Sequence, residues 1–282
     1  MTTETFDLVI IGGGIHGAAV ARDAAGRGLK VLLAEKGDYA CATSSNSSKL
    51  IHGGLRYLEH LELKLVRESL VERAELLRAA PHLVTPLKFL LPIYDWQTRS
   101  AWLVHAGLTL YDLLSMGDGL PASGRVSSAE AESLPYLRQD HLSAVLHYHD
   151  CQTDDARLTL AVALDARARG ADILNRRAVI AIAALENGYA VELDERGQKR
   201  RIETRFIVNA AGPYAPQVDA LTEAAPESAT AAARARQPYR AADAGPARTV
   251  RLYAARRRRA HRVRHAMAGR ALPGHRHHRR PP

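Results

Sequence analysis

An α/β fold, doubly wound around a mostly parallel sheet with a dinucleotide-binding loop, is what this 282-residue sequence predicts. Three observations carry the expectation. The apolar run Phe6-Asp7-Leu8-Val9-Ile10-Ile11 leads straight into Gly12-Gly13-Gly14-Ile15-His16-Gly17 and then into an alanine-rich segment, the order strand, glycine turn, helix. A second apolar run, Leu29-Lys30-Val31-Leu32-Leu33-Ala34, ends in Glu35 and then Lys36. A strand over residues 201–209 returns late and runs into Ala210-Ala211-Gly212-Pro213.

In the glycine loop, Gly12 permits the tight turn, Gly14 lets a pyrophosphate approach the backbone, and Gly17 lets the helix pack close to the strand. The helix start then offers free N–H groups and about half a positive charge to phosphates. Glu35 stands where a carboxylate accepts ribose hydroxyls. Next comes a hydroxyl-rich loop, Cys41-Ala42-Thr43-Ser44-Ser45-Asn46-Ser47-Ser48-Lys49. Leu63, Val66, Leu70, Ala74 and Leu77 recur at helical spacing, with Glu62, Lys64, Arg67, Glu68, Glu72 and Arg73 as the charged positions, and the helix ends before Pro81. Lys88-Phe89-Leu90-Leu91 before Pro92 reads as a short strand, and residues 102–114 as a helix closed by Gly117. A strand over residues 143–149 leads to Thr153 or Asp154 as the cap of a helix that Gly170 ends. Two strands flank Glu186-Asn187-Gly188, where Asn-Gly is a strong hairpin signal.

Composition bounds the rest. The net charge of +9 divides unevenly: from Leu221 onward there are fifteen Arg against Glu223, Glu227 and Asp243, so the first 220 residues carry −3. Cys41 and Cys151 lie far apart and outside any CxxC pattern, which points to a reducing compartment. No basic-apolar leader precedes the first strand, so a cytoplasmic location is expected. His147 and His149 alternate on a strand without the carboxylates or cysteines that would complete a metal set, so no metal is expected. Trp96, Trp102, Lys88 and Arg99 leave two readings open: ordinary packing, or contact with a membrane interface.

The stretch Cys41-Ala-Thr-Ser-Ser-Asn-Ser-Ser-Lys-Leu-Ile-His-Gly-Gly-Leu-Arg-Tyr-Leu-Glu59 is more specific than the glycine loop. With Asp154-Asp155-Ala156-Arg157-Leu158 and Asn209-Ala210-Ala211-Gly212-Pro213, it closely resembles the FAD-dependent, quinone-linked glycerol-3-phosphate dehydrogenases over residues 4–220. The resemblance implies an FAD/NAD(P)-binding Rossmann-like domain of the amino-acid oxidase type, here incomplete. Residues 1–80 and 150–220 would form the discontinuous FAD-binding part, and 81–149 a piece of the substrate or cap region. It also implies oxidation of sn-glycerol 3-phosphate to dihydroxyacetone phosphate, a quinone as electron acceptor, and peripheral contact with the cytoplasmic face of the inner membrane. Gly12, Gly13, Gly14, Ile15, His16, Gly17, Glu35 and Lys36 would meet the nucleotide end of FAD. Thr43, Ser44, Ser47, Ser48, Lys49, Leu50, His52 and Gly53 would line its polyol and ring, with Lys49 and His52 favouring the anionic reduced ring. Val179 would clasp the adenine through its backbone, with Ala211 and Gly212 as a second close approach. Arg56 and Tyr57 would sit beside the substrate, Arg56 because a guanidinium fork matches a phosphate dianion. Pairing of Arg56 with Glu59 or Glu62 is the plainer alternative. Two other functions stay open: a catalytically inactive FAD-binding fragment, and a different FAD-dependent amino- or hydroxy-acid oxidase.

From about residue 220 the pattern stops, and Ala, Arg, Pro and His dominate to the end. Arginine-rich segments bind phosphate backbones, but only Tyr239 and Tyr253 interleave here, and no nucleic acid partner is expected. A shifted frame explains the tail better. Taking the last two bases of each codon with the first of the next, Met267-Ala268 must read Trp. His261-Arg262, His275-Arg276, His277-His278 and His278-Arg279, with CGN arginine codons, must read Ile or Thr. The strings so obtained from residues 259–268 and 274–282 resemble the family's continuation. Residues 221–282 are therefore expected to be a non-native or disordered tail on a truncated enzyme. Sequencing the gene around codon 222 should reveal the shift, and correcting it should replace the arginine run with an apolar strand pattern. An intact frame with no second half downstream overturns the reading.

Overall fold

The computed structural model describes residues 4–135 and 137–222, and the backbone of Arg251–Ala254. Strand β1 (Glu4–Ile11) passes through the glycine loop into helix α1 (Ile15–Gly26), and β2 (Val31–Ala34) lies parallel to β1. Both strands are covered on their two faces, which is why they read as continuous apolar runs rather than alternating ones. The chain then leaves this sheet. β3 (Leu50–Ile51), a 3-10 turn (Leu55–His60), α2 (Leu63–Ala79), β4 (Val84–Tyr94), α3 (Ala101–Leu114), β5 (Gly124–Arg125), α4 (Ser128–Glu132) and β6 (Leu142–Thr153) follow. Their strands make a small antiparallel sheet in which β6 pairs with β3, β4 and β5.

The return runs through α5 (Asp155–Ala168), β7 (Asp172–Leu174), the hairpin β8 (Ala178–Leu185) and β9 (Gly188–Glu195), and β10 (Gln198–Asn209). A 3-10 turn (Gly212–Tyr214), α6 (Ala215–Asp219) and β11 (Arg251–Ala254) complete the described elements. The main sheet has the order β7-β2-β1-β10-β9-β8, with β11 also paired to β10. β7, β2, β1 and β10 are parallel; β9 is antiparallel to β10, and β8 is antiparallel to β9. The expected adjacency of residues 6–11, 30–34 and 201–209 in one mostly parallel sheet is thus present.

Two clusters hold this sheet. On one face Leu8, Ile10, Leu33 and Val208 meet Ala21, Ala24 and Ala25 of α1 and Ala166 of α5. Small side chains let the two helices lie close against each other and against the strands. On the other face Val9, Ile11, Leu32 and Ala34 join Ile182, Val191, Leu193, Ile202 and Ile207. Helix α5 starts where its cap requires: Asp154 Oδ1 accepts the N–H groups of Ala156 (3.0 Å) and Arg157 (3.2 Å).

The structure corrects the sequence-based expectations in two places, the extent of β4 and the burial of Arg73. β4 is an eleven-residue strand running through Pro86 and Pro92, not a short piece stopped by Pro92. It pairs only with β6, so its other edge needs no N–H donors and tolerates proline. Arg73, counted with the charged positions of α2, is 1% exposed and lies among Val66, Leu70 and Ala74. β3 pairs with β6 of the second sheet, and the 3-10 turn and α2 pack with α3 and Tyr148 of β6 around Val66, Leu70 and Tyr111. In the tail, the backbone of Arg251–Ala254 pairs antiparallel with residues 206–209 of β10. β9 pairs only as far as Thr204, so the end of β10 presents an open edge for another strand. The remaining expectations for residues 223–250 and 255–282 fall outside the described residues.

Gly12 and Gly17 are the positions in this turn where an added Cβ would collide with backbone oxygen. Gly12 has φ +114°, and a Cβ there would stand 2.6 Å from the Ala210 carbonyl oxygen. A Cβ on Gly17 would stand 1.9 Å from the Gly12 carbonyl oxygen. Gly17→Ala should therefore destabilise the protein by about 1–3 kcal/mol, the usual cost of overpacking. Gly107→Ala, on α3 with open space around it, should cost nothing. Urea midpoints compare the two, and equal midpoints contradict the close-approach argument.

Candidate functional site

A groove of about 280 Å³ opens at the C-terminal ends of β1 and β2, where the chain order switches sides across β1. Gly12, Gly14, Ile15 and His16 form its floor at the start of α1. The first turn of α1 carries no acidic residue, so the positive end of the helix is left uncompensated. Glu35 and Lys36 close one side, Thr43 and Ser44 another, and Ala178, Val179, Ala211 and Gly212 the rest. Gly212 and Gly14 thus face one space.

Glu35 is buried at 9% exposure, and its carboxylate is fully engaged with backbone. Oε2 accepts the Gly13 N–H at 2.6 Å and Oε1 the Gly37 N–H at 2.7 Å. Each carboxylate oxygen still has a lone pair for a ligand hydroxyl. Ser44 Oγ accepts the Ile15 N–H at 3.1 Å, tying the 41–49 loop to the helix start. The Lys36 ammonium lies 4.0 Å above the Tyr214 ring. Tyr214, Gln217 and Val218 also line the groove and were missed by sequence reasoning. The available signal was Gly212-Pro213, a turn that opens a helix beside the glycine loop.

Other expected residues stand apart from this groove. Gly13 lies behind it, turned to Glu35, and Gly17 is buried in the helix–strand contact. Ser47 Oγ bonds Asp155 of α5 and accepts the Lys49 N–H at 3.1 Å; Ser48 is exposed. Lys49 Nζ donates to the Ser45 carbonyl at 2.9 Å. Leu50 and His52 line a second, larger cavity of about 1390 Å³, and Gly53 is buried beneath it. The residues expected around the cofactor are thus divided between two spaces, with Glu35, Thr43, Ser44 and Gly212 in the first and Leu50 and His52 in the second.

The second cavity has an apolar wall of Leu91, Pro92, Ile93, Leu103, Val104 and Leu108. Its polar groups include His52, Arg56, Arg99, Glu59, Tyr148 and Asp150. Arg56 is exposed and has no carboxylate partner among the described residues. Glu59, the partner sequence offered it, is held by both guanidinium nitrogens of Arg99 at 2.6 and 2.9 Å. Tyr57, expected beside the substrate with Arg56, packs instead against Val66, Leu70 and Tyr111. Burial first and Lys88 second hold His147 below the usual histidine range, so it sits neutral beside His149.

The family model described as FAD dependent oxidoreductase matches residues 7–276. This chain belongs to that family. It is 50% identical over 218 residues to a D-erythritol 1-phosphate dehydrogenase of Brucella abortus, covering 76% of this chain and 43% of that protein. It is 47% identical over 218 residues to the aerobic glycerol-3-phosphate dehydrogenase of Escherichia coli, covering 76% and 42%. Among solved structures it resembles glycerol-3-phosphate dehydrogenase from Bacillus halodurans complexed with FAD. That match has a TM-score of 0.58 and 31% identity, over 77% of this chain and 36% of that one. The chain thus spans about two-fifths of the length of the curated relatives it matches.

The residues present fit FAD, the family's cofactor, at its nucleotide end. The groove combines an acid-free helix start, a carboxylate with spare acceptor capacity, and a glycine turn on the opposite wall. Its volume is at the lower edge of ligand pockets, which suits one end of a dinucleotide. Glu35→Ala should weaken FAD binding by on the order of 1–3 kcal/mol, because it removes a carboxylate with spare acceptor capacity from the groove and leaves two backbone N–H groups unpaired. Glu35→Gln retains shape and one acceptor and should lose less. Flavin fluorescence titration measures both, and unchanged affinity in Glu35→Ala counts against the ribose role.

Proposed function

We propose that this chain carries the nucleotide-binding part and the phosphate-anchoring wall of a flavoenzyme. That enzyme oxidises sn-glycerol 3-phosphate to dihydroxyacetone phosphate and passes the electrons to a quinone. The observation that carries the reading is Arg56: a guanidinium on the wall of the large cavity, on the loop that also bears His52, with its nearby carboxylate taken by Arg99. A guanidinium fork offers two parallel N–H donors to a phosphate dianion. FAD, when bound, supplies the two-electron acceptor for this chemistry.

The chain's own groups have simpler tasks. Arg56 anchors the phosphate and so fixes how far the C2 carbon reaches from the cavity wall. His52 adds an imidazole with ring N–H donor capacity on the same wall, within the space open to the substrate. The apolar wall limits water around the carbon that loses a hydride while its hydroxyl loses a proton. The quinone takes up two electrons and two protons, which balances the oxidation.

D-erythritol 1-phosphate is the second candidate substrate, favoured by the 50% identity to the Brucella protein of that name and by a cavity roomy enough for one more carbon. The same reading extends to a cytoplasmic protein that touches the inner membrane peripherally. Support comes from Trp96 at 56% and Trp102 at 73% exposure, with Leu113 and Met116 also exposed. Among the described residues no helix is long and apolar enough to cross a membrane. The tail from residue 222 is read as a shifted frame, so turnover is expected of the frame-corrected chain.

Arg56→Ala should raise KM for the true polyol phosphate by roughly one to two orders of magnitude, the worth of a charged hydrogen-bonded pair. Arg56→Lys, a point charge without the fork, should recover only part of it. Dye-linked assays with glycerol 3-phosphate and D-erythritol 1-phosphate read this out. An unchanged KM for both removes Arg56 from the substrate site. A flavin-bound, frame-corrected protein that is reduced by neither compound removes the polyol phosphate reading.

A further inference from the structure

Four side chains, three on α2, α3 and β6 and one on the turn after α3, converge under the His52–Tyr57 loop, and none of them lines the Glu35 groove. Tyr111 Oη on α3 accepts the Gly53 N–H at 2.8 Å and donates to Asp150 Oδ1 on β6 at 2.8 Å. Arg73 on α2 pairs through one terminal nitrogen with Asp150 and through the other with Asp118, which follows α3. The first nitrogen also donates to the His149 carbonyl at 3.2 Å. Arg73 and Tyr111 are 1% exposed and Asp150 is 2% exposed.

The charges explain the construction. One guanidinium between two carboxylates leaves an excess negative charge out of water, and an uncompensated buried charge costs several kcal/mol. The Tyr111 hydroxyl supplies Asp150 with a further donor, and the same hydroxyl uses its lone pair on Gly53. Burial first, and the Asp150 charge next, push the Tyr111 phenol well up, so it stays protonated and keeps donating. Space is as tight as the bonding: a Cβ on Gly53 would stand 2.3 Å from Leu70 Cδ2 and 2.6 Å from Tyr111 Oη. Gly54 follows at φ +72°, a left-handed turn that sends the chain toward Leu55 and Arg56.

We propose that Tyr111 and Asp150, held by Arg73, are positioning residues that clamp the Gly53 amide and so fix the frame in which His52 and Arg56 face the large cavity. The proposal rests on the phosphate-anchoring role of Arg56. A buried ion triad is a weak source of stability compared with apolar packing, whereas a pinned amide one residue from His52 and three from Arg56 orients both.

Amide hydrogen exchange by mass spectrometry on the full chain tests the clamp, with calorimetric titration of glycerol 3-phosphate alongside. Tyr111→Phe removes one oxygen and retains the ring. It should speed exchange in peptides covering residues 51–57 by about tenfold, the size of one lost hydrogen bond. Exchange in α1 and β10 should stay unchanged, and glycerol 3-phosphate should bind several-fold more weakly with flavin affinity retained. Asp150→Asn, which has the same shape without the charge, should act in the same direction. Asp118→Asn, which touches none of the Gly53 bonds, should leave exchange in 51–57 as it was. Unchanged exchange in both Tyr111→Phe and Asp150→Asn overturns the clamp, as does a uniform rise through α2, α3 and β6. If the unaltered protein binds no glycerol 3-phosphate, the substrate reading fails while the exchange pattern still decides the clamp.

Discussion

The Glu35 carboxylate ties the loop after β1 to the loop after β2 through the N–H groups of Gly13 and Gly37. Its own backbone extends the tie, since the Glu35 N–H donates to the Leu174 carbonyl and its carbonyl accepts the Arg177 N–H. Three strand ends therefore depend on one residue. A carboxylate taken out of water is tolerable only when donors surround it, and here backbone amides do so at charge-assisted distances. The Gly12–Gly14 backbone that floors the groove is held in place by this arrangement, and the open start of α1 follows from it.

The 41–49 loop turns that local arrangement into a connection between layers. Ser44 fastens one end to α1, and Ser47 fastens the other to Asp155 at the start of α5. The Thr153 N–H donates to the Lys49 carbonyl, which joins the loop to β6 of the second sheet. Left-handed backbone at Ala40 and Lys49 brackets the segment and gives it its two bends. A sequence rich in small hydroxyl residues reads as a flexible linker, yet here the hydroxyls of Ser44, Ser45 and Ser47 have fixed partners. The groove and the large cavity are kept at a set separation by this brace.

Much of the main sheet was legible from local pattern. β1, α1 and β2 were readable because an apolar strand, a glycine turn and an alanine-rich helix each follow from short-range sterics. The β8–β9 hairpin was readable from Asn187-Gly188, and the start of α5 from Asp154. What escaped depended on tertiary partners. Arg73 looked like a solvated charge, and only Asp118 and Asp150, 45 and 77 residues away, make its burial possible. Its place at i+3 from Leu70 and i+7 from Val66 was the available hint, since that is the buried stripe of α2. β4 was cut short because proline breaks a ladder, and only its edge position makes Pro86 and Pro92 harmless. Ser47 and Ser48 shared the composition of Thr43 and Ser44, and no local signal distinguishes a hydroxyl turned to Asp155 from one turned to the groove.

The pairing of β1 with β10 has a consequence for how the chain is made. Glu4 is opposite Ile202 and Ile11 opposite Asn209, so the middle of the main sheet joins the two ends of the described fold. At roughly 5–20 residues per second, a ribosome needs on the order of 10–40 seconds to bring the partner of β1 into existence. Through that interval Leu8, Val9, Ile10 and Ile11 have β2 on one side and nothing on the other. Closing so distant a contact is slow as well, because its loop entropy is spent before any bond returns it. A nascent chain of this design is a natural client for holding chaperones, and its yield in cells will track their supply more closely than the stability of the finished fold.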